Sequence, residues 1–139
     1  MRPTSAVKYL RSANRPRPVL LIVDDDEAVR NSLKFALEME GYAVRLYSSA
    51  SQLMGESEMP SDGCLLIDYY LPDANGLHLL ADLRGRHINL PAFIITGHPS
   101  LVIRRRAAEA GIRLVEKPLL GDGLANATRE ALNGQFPTT

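Results

Sequence analysis

Tryptophan is absent from this chain of 139 residues, and cysteine occurs only once, as Cys64. A lone cysteine excludes an intramolecular disulfide. Its place within an apolar run marks it as a small core residue, and the chain fits a reducing cytoplasm. No apolar stretch approaches the ~20 residues that a membrane helix needs. Residues 1–18 are polar and rich in proline and arginine, so they do not resemble a secretory signal. No group of His and Cys has the ligand spacing of a zinc site. Acidic residues are missing from 1–18 altogether, where Arg2, Lys8, Arg11, Arg15 and Arg17 make a basic leader. The remainder holds eleven basic residues against sixteen acidic ones, a net charge of −5 within a chain that is formally neutral. That acidic body argues against a nucleic-acid surface, and no direct DNA binding is expected. The leader reads as a solvated segment.

What the chain does contain is enough for one domain with a real core, at 45% hydrophobic residues. Val19–Val23 is a short apolar run, as are Cys64–Ile67 and Ala92–Ile95, and each reads as a buried strand. Tyr42–Tyr47 and Ile112–Glu116 read as two more. Between them, Val29, Leu33, Ala36 and Leu37 share one face of a helix over 27–40, with Gly41 as its stop. Ser49 and Gln52 form a capping-box pattern opening a short helix, and 55–63 reads as a loop. The turn Leu71-Pro72-Asp73-Ala74-Asn75-Gly76 precedes a helix that ends near Gly85. A fourth helix spans 100–110, and Leu124, Thr128, Ala131 and Leu132 mark a last one stopped by Gly134. Five strands without a polar face, alternating with five helices, predict an α/β fold: a doubly wound, five-stranded parallel sheet covered on both sides.

In such a sheet the strand ends meet on one edge, where open α/β folds place their sites. Val23 leads into Asp24, Asp25 and Asp26, and Ile67 leads into Asp68. Ile95 leads into Thr96, and Glu116 into Lys117 and Pro118. Carboxylates crowded at neighbouring strand ends repel one another and call for a cation, and Mg²⁺ suits hard oxygen ligands with positions left for water and phosphate. Asp26 or Glu27 serves equally well as a cap on the first helix. Capping does not explain Thr96 and Lys117 on the same edge. A carboxylate nucleophile, a metal, an ammonium and a hydroxyl are the components of phosphoryl transfer.

With these residues the chain resembles the receiver domains of two-component response regulators. The likeness is carried by Val23-Asp24-Asp25-Asp26, Leu66-Ile67-Asp68, Leu71-Pro72-Asp73-Ala74-Asn75-Gly76-Leu77, Ile95-Thr96-Gly97-His98 and Glu116-Lys117-Pro118. It is similar to receivers of nitrogen-fixation and nitrogen-assimilation regulators. The resemblance implies a flavodoxin-like (βα)5 receiver fold over residues 18–133, with a basic leader at 1–17 and a tail at 134–139. It implies that Asp68 accepts a phosphoryl group from a histidine kinase or a histidine phosphotransfer protein. Asp25, Asp68 and the backbone carbonyl of Tyr70 would hold Mg²⁺, with Asp24 acting through water. Thr96 and Lys117 would contact the phosphoryl oxygens, and hydrolysis would reset the signal. A downstream protein would dock on the face of the fourth and fifth helices, through which a phosphorylation-dependent homodimer is an open alternative.

One departure from the family and two further features matter. Receivers usually carry an aromatic residue three positions before the lysine, and here that position is Leu114, in a segment one residue shorter than usual. An aromatic-gated switch is therefore not expected. Tyr70 and His98 occupy positions that tune phosphoryl lifetime in the family. Arg104-Arg105-Arg106 falls in the fourth helix, where three consecutive residues cannot share one face. After Lys117 about twenty residues remain, too few for a helix-turn-helix. The expected protein is thus a single-domain regulator or a receiver cut from a longer chain. Two other readings stand beside it. One is a receiver-like interaction module that needs no phosphorylation. The other is a Mg²⁺-dependent phosphatase using an aspartyl phosphate, which this chain resembles less because Tyr70 stands where such an enzyme carries a second aspartate as acid.

Overall fold

Uninterrupted apolar runs that are too short for helices must pair on both edges and be covered on both faces, and the structure pairs them in that way. The computed structural model describes residues 18–117 together with Thr128, Arg129 and Leu132. The leader, the turn at Pro118, most of the last helix and the tail lie outside the described residues. The strands are β1 (Val19–Val23), β2 (Ala43–Tyr47), β3 (Gly63–Asp68), β4 (Ala92–Thr96) and β5 (Arg113–Glu116). The helices are α1 (Glu27–Met39), α2 (Ala50–Met54), α3 (Gly76–Gly85) and α4 (Leu101–Glu109). All strand pairs are parallel, in the order β2-β1-β3-β4-β5. The chain winds outward from β1 to β2, then returns past β1 to β3, so the direction of winding reverses between β1 and β3. At that reversal the strand ends splay apart and leave a crevice. Asp24 follows β1 and Asp68 ends β3, one on each side of it.

Alternate residues of the strands point to opposite faces. Leu21, Val23, Leu65, Ile67 and Ile94 pack with Leu53 of α2, Leu79 and Leu83 of α3 and Ile103 of α4. Leu20, Ile22, Cys64, Leu66, Phe93 and Ile95 pack with Leu33 and Leu37 of α1. Leu132, which is helical, lies against this second face. Each fully buried side chain of this size contributes about 2 kcal/mol. The doubly wound expectation is met, with small shifts at the strand starts. β3 begins at Gly63 rather than Cys64, because β1 runs so close that a Cβ there would lie 2.2 Å from the Val19 carbonyl oxygen. β5 begins one residue later than expected, at Arg113.

The helix ends divide into expected and unexpected. Asp26 caps α1, its carboxylate accepting from the N–H groups of Ala28 and Val29. Ser49 caps α2, but the second half of the capping box is not made. Gln52 Oε1 accepts from the N–H and hydroxyl of Ser48 instead. At their C-termini α1, α3 and α4 close with the same paired bonds, from the two residues after the cap back to the last turn. Gly41 and Gly111 supply the positive φ that this closure needs. In α3 the residue is His87, at φ 63°, two positions beyond the glycine that suggested the stop.

Candidate functional site

Lys117 bridges the ends of β1 and β3. Its N–H donates to the Thr96 carbonyl at 2.8 Å, so the edge strand delivers it in register with the end of β4. Its Nζ lies 2.9 Å from Asp24 Oδ2 and 3.1 Å from Asp68 Oδ2. Both carboxylates are buried. Asp24 Oδ1 accepts from the N–H of Asp26, and the Asp24 carbonyl accepts from Arg30 Nη1 at 2.7 Å. Asp68 Oδ1 accepts from the N–H of Tyr70. Burial, and then the charge of Asp24, push the Asp68 carboxyl above its usual range against the opposing pull of Lys117. Burial also works against the charge on Lys117. Its bonds to Asp24 and Asp68 outweigh that and hold its pKa above the ordinary lysine value.

The donor set suits a hard divalent cation. Asp24, Asp25 and Asp68 each offer a carboxylate oxygen, and these oxygens lie within 4.8 Å of one another, with Asp25 exposed at the mouth. Asp24 Oδ2 is shielded from solvent and, beyond its ion pair with Lys117, accepts no hydrogen bond. A buried acceptor with spare capacity, facing two further carboxylates, fits a cation such as Mg²⁺.

Thr96 is fully buried at the end of β4, and its Oγ1 accepts from the N–H of His98 at 3.2 Å. His98 itself is exposed. Tyr70 is 54% exposed, its ring set edge-on against Tyr69 at 4.9 Å between centroids. Leu114 is partly buried against the core cluster of the α2–α4 face. Asp24, Asp25 and Asp68 gather about Lys117, whose N–H is bonded to the Thr96 carbonyl at the end of β4, while His98 and the ring of Tyr70 stand at the solvent margin.

Three residues were read from sequence only as turn, helix or neighbour. Asp73 accepts from the N–H groups of Ala50 and Ser51, both at 2.9 Å, and so pins the β3–α3 turn to the start of α2. Those bonds lower its pKa. Arg30 ties α1 to the backbone beside Asp25. Tyr69 is buried, and its hydroxyl accepts from Arg106 Nη1 of α4 at 3.2 Å. A carboxylate within a proline turn was the only sequence signal for the first; the other two had none. Gly76 opens α3 hard against the site, since a Cβ there would come within 2.6 Å of the Asp68 carbonyl oxygen.

A parallel sheet of this order with an acidic, lysine-bridged crevice defines a class, the flavodoxin-like folds that bind ligands at the strand ends. A model of the response regulator receiver domain matches residues 20–129. The chain belongs to that family, whose members act in two-component systems with histidine kinases. It is 40% identical over 98 residues to the transcriptional regulatory protein FixJ of Rhizobium meliloti, covering 70% of this chain and 48% of that protein. It is 31% identical over 124 residues to the response regulator protein TodT of Pseudomonas putida, covering 88% of this chain and 55% of that one. The chain spans about half the length of these two regulators. A CheY-like receiver domain protein of Methanospirillum hungatei JF-1 superposes with a TM-score of 0.78 at 31% identity, over 86% of this chain and 97% of that one. FixJ-N gives 0.77 at 34% identity, over 86% and 96%. Among the described residues no helix is long and apolar enough to cross a membrane.

Proposed function

We propose that this receiver, spanning 18–133, is switched by phosphorylation of Asp68. A carboxylate oxygen of Asp68 attacks the phosphorus of a phosphohistidine on a histidine kinase or phosphotransfer protein. The new P–O bond forms as the P–N bond breaks, and the electron pair returns to the imidazole. Lys117 already bridges Asp24 and Asp68, so its ammonium can follow the negative charge onto the phosphoryl oxygens. The Thr96 hydroxyl, at the end of the neighbouring strand, would donate to the same group. Asp25, Asp68 and the Tyr70 carbonyl would hold Mg²⁺, with Asp24 acting through water; the ion would supply charge neutralisation at the carboxylates and phosphoryl oxygens. Water then attacks the acyl phosphate, releasing inorganic phosphate and restoring the carboxylate.

The observation that carries this reading is the single ammonium shared by two buried carboxylates, at 2.9 and 3.1 Å. An ion pair built only for stability needs one carboxylate, and a second one beside it adds repulsion. The output is a protein partner docked at the α4 side rather than DNA, in the cytoplasm, either as a single domain or as the receiver of a longer regulator. Incubation with Mg²⁺ and acetyl phosphate, followed by intact mass measurement beside Asp68→Asn, tests the proposal. One phosphoryl group on the wild type and none on the variant is the expected result. Equal modification of both would place the acceptor elsewhere, and none on the wild type from either acetyl phosphate or a phosphorylated kinase would leave an interaction module.

A further inference from the structure

Tyr69 directly follows Asp68, yet the chemistry above does not use it. It is 5% exposed. Its N–H donates to the Ile95 carbonyl at 2.8 Å, and its carbonyl accepts from the N–H of Gly76 at 2.7 Å. The backbone is therefore clamped between the end of β4 and the start of α3. The ring joins the core cluster that includes Ile94 and Ile103 of α4, with Leu114 packed against it. At the far end of the ring the hydroxyl accepts from Arg106 Nη1. Arg106 lies in a solvent-open groove between α3 and α4, beside Asn75, His78 and Glu109. No aromatic residue occurs between Thr96 and Gln135. Tyr69 is thus the aromatic side chain that joins the end of β3 to α4.

We infer that the Tyr69–Arg106 hydrogen bond is a latch holding α4 in its resting position, and that loading of Asp68 opens it. This rests on Asp68 being the phosphoacceptor. Asp68 Oδ1 accepts from the Tyr70 N–H, and Tyr69 is bonded to Ile95, one residue before Thr96. A tetrahedral dianion on Asp68 that draws Thr96 and Lys117 toward it therefore pulls on the same short stretch of backbone. At 3.2 Å the latch is already at the long end for a hydrogen bond, so a sub-ångström displacement of the ring or of α4 breaks it. On the outer surface of the helix it restrains, Leu101 and Val102 are 72% and 53% exposed. Opening the latch changes the position of an apolar strip that a partner protein can read.

The test is amide hydrogen exchange on the full chain, resting and loaded with Mg²⁺ and beryllofluoride, for wild type, Tyr69→Phe and Arg106→Gln. Phe keeps the ring and its packing, and the Arg106 change is at the surface, so both variants retain the fold. In the wild type, α4 amides should exchange about fivefold faster once loaded, the change expected from losing one net hydrogen bond. Both variants should show the faster rate at rest, with little further change on loading, while β1 and β3 stay protected in all forms. Wild-type protection of α4 in Tyr69→Phe, with an undiminished response to loading, would overturn the latch and leave the phosphoacceptor reading intact. If acetyl phosphate, beryllofluoride and a phosphorylated kinase all fail to load the wild type, the phosphoacceptor reading falls and the latch falls with it.

Discussion

Replacing Lys117 by Met keeps most of the aliphatic stem and removes the charge that two buried carboxylates share. Each contact near 3 Å corresponds to about 5 kcal/mol of attraction at an effective dielectric of 20. Carboxylate oxygens as far apart as the 4.8 Å limit of the cluster repel by about 3.5 kcal/mol on the same basis. Desolvation offsets much of this, and breaking a buried pair costs about 3–5 kcal/mol net. The Lys117 side chain is 22% exposed, so the lower end applies, about 3 kcal/mol. Against a typical total of roughly 5–15 kcal/mol that is a large share. Urea unfolding at neutral pH in EDTA measures it. Lys117→Met should lose about 3 kcal/mol, and Lys117→Met/Asp68→Asn less than that, since the second change removes one of the two carboxylates left unpaired and with it their mutual repulsion. Adding Mg²⁺ should narrow the gap between wild type and Lys117→Met. Wild-type stability of Lys117→Met in EDTA, or strict additivity in the double variant, would refute the shared-charge account.

Two further predictions concern parts of the fold away from the crevice. Burial pushes the Cys64 thiol up to about 12, so the folded protein keeps its proton while an unfolded thiol loses it near pH 9. Stability should then be intact well below that pH and fall by about 1 kcal/mol between pH 9 and 10; Cys64→Ala should flatten the slope in urea titrations, and an unchanged slope would count against it. His87 adopts a left-handed φ of 63° at an exposed position, so His87→Gly should raise the unfolding free energy by about 1 kcal/mol. A loss of stability would show that the imidazole makes a compensating contact.

The sheet was legible because its strands are buried on both faces and carry that burial as unbroken apolar runs. Their C-terminal residues were legible for the same reason: Asp24, Asp68 and Thr96 each interrupt a run at the point where the strand leaves the core. Lys117 could be placed from sequence only because Leu114 and Val115 precede it. The helix stop at His87 was not legible, since a left-handed residue other than glycine leaves no compositional mark. Nor was the half-made capping box at Ser49, where Gln52 had a nearer donor in Ser48. Tyr69 was missed because a tyrosine after a strand reads as surface or core with equal ease. Its clamp is made of partners at positions 76, 95 and 106, which no local pattern connects.

The arginine triplet in α4 shows how far a helix separates adjacent charges. At about 100° per residue, Arg104, Arg105 and Arg106 face three ways. Arg104 reaches Glu116 of β5 at 3.6 Å, and Arg106 turns toward Tyr69. Arg105 stays exposed one turn from Leu101, so these two side chains share a strip along the helix. A partner meeting α4 from outside finds Leu101 with Arg105 behind it, and Arg104 and Arg106 exposed to either side, one paired with Glu116 and the other with Tyr69. That face suits a short amphipathic segment carrying a single acidic residue. The other two arginines are also exposed, one on each edge of the helix, and reach across to Glu116 of β5 and to the Tyr69 hydroxyl after β3. If the latch at Arg106 opens while the contact at Arg104 holds, α4 moves at its α3 edge and stays hinged at its β5 edge. The Leu101–Arg105 strip would then tilt relative to the sheet.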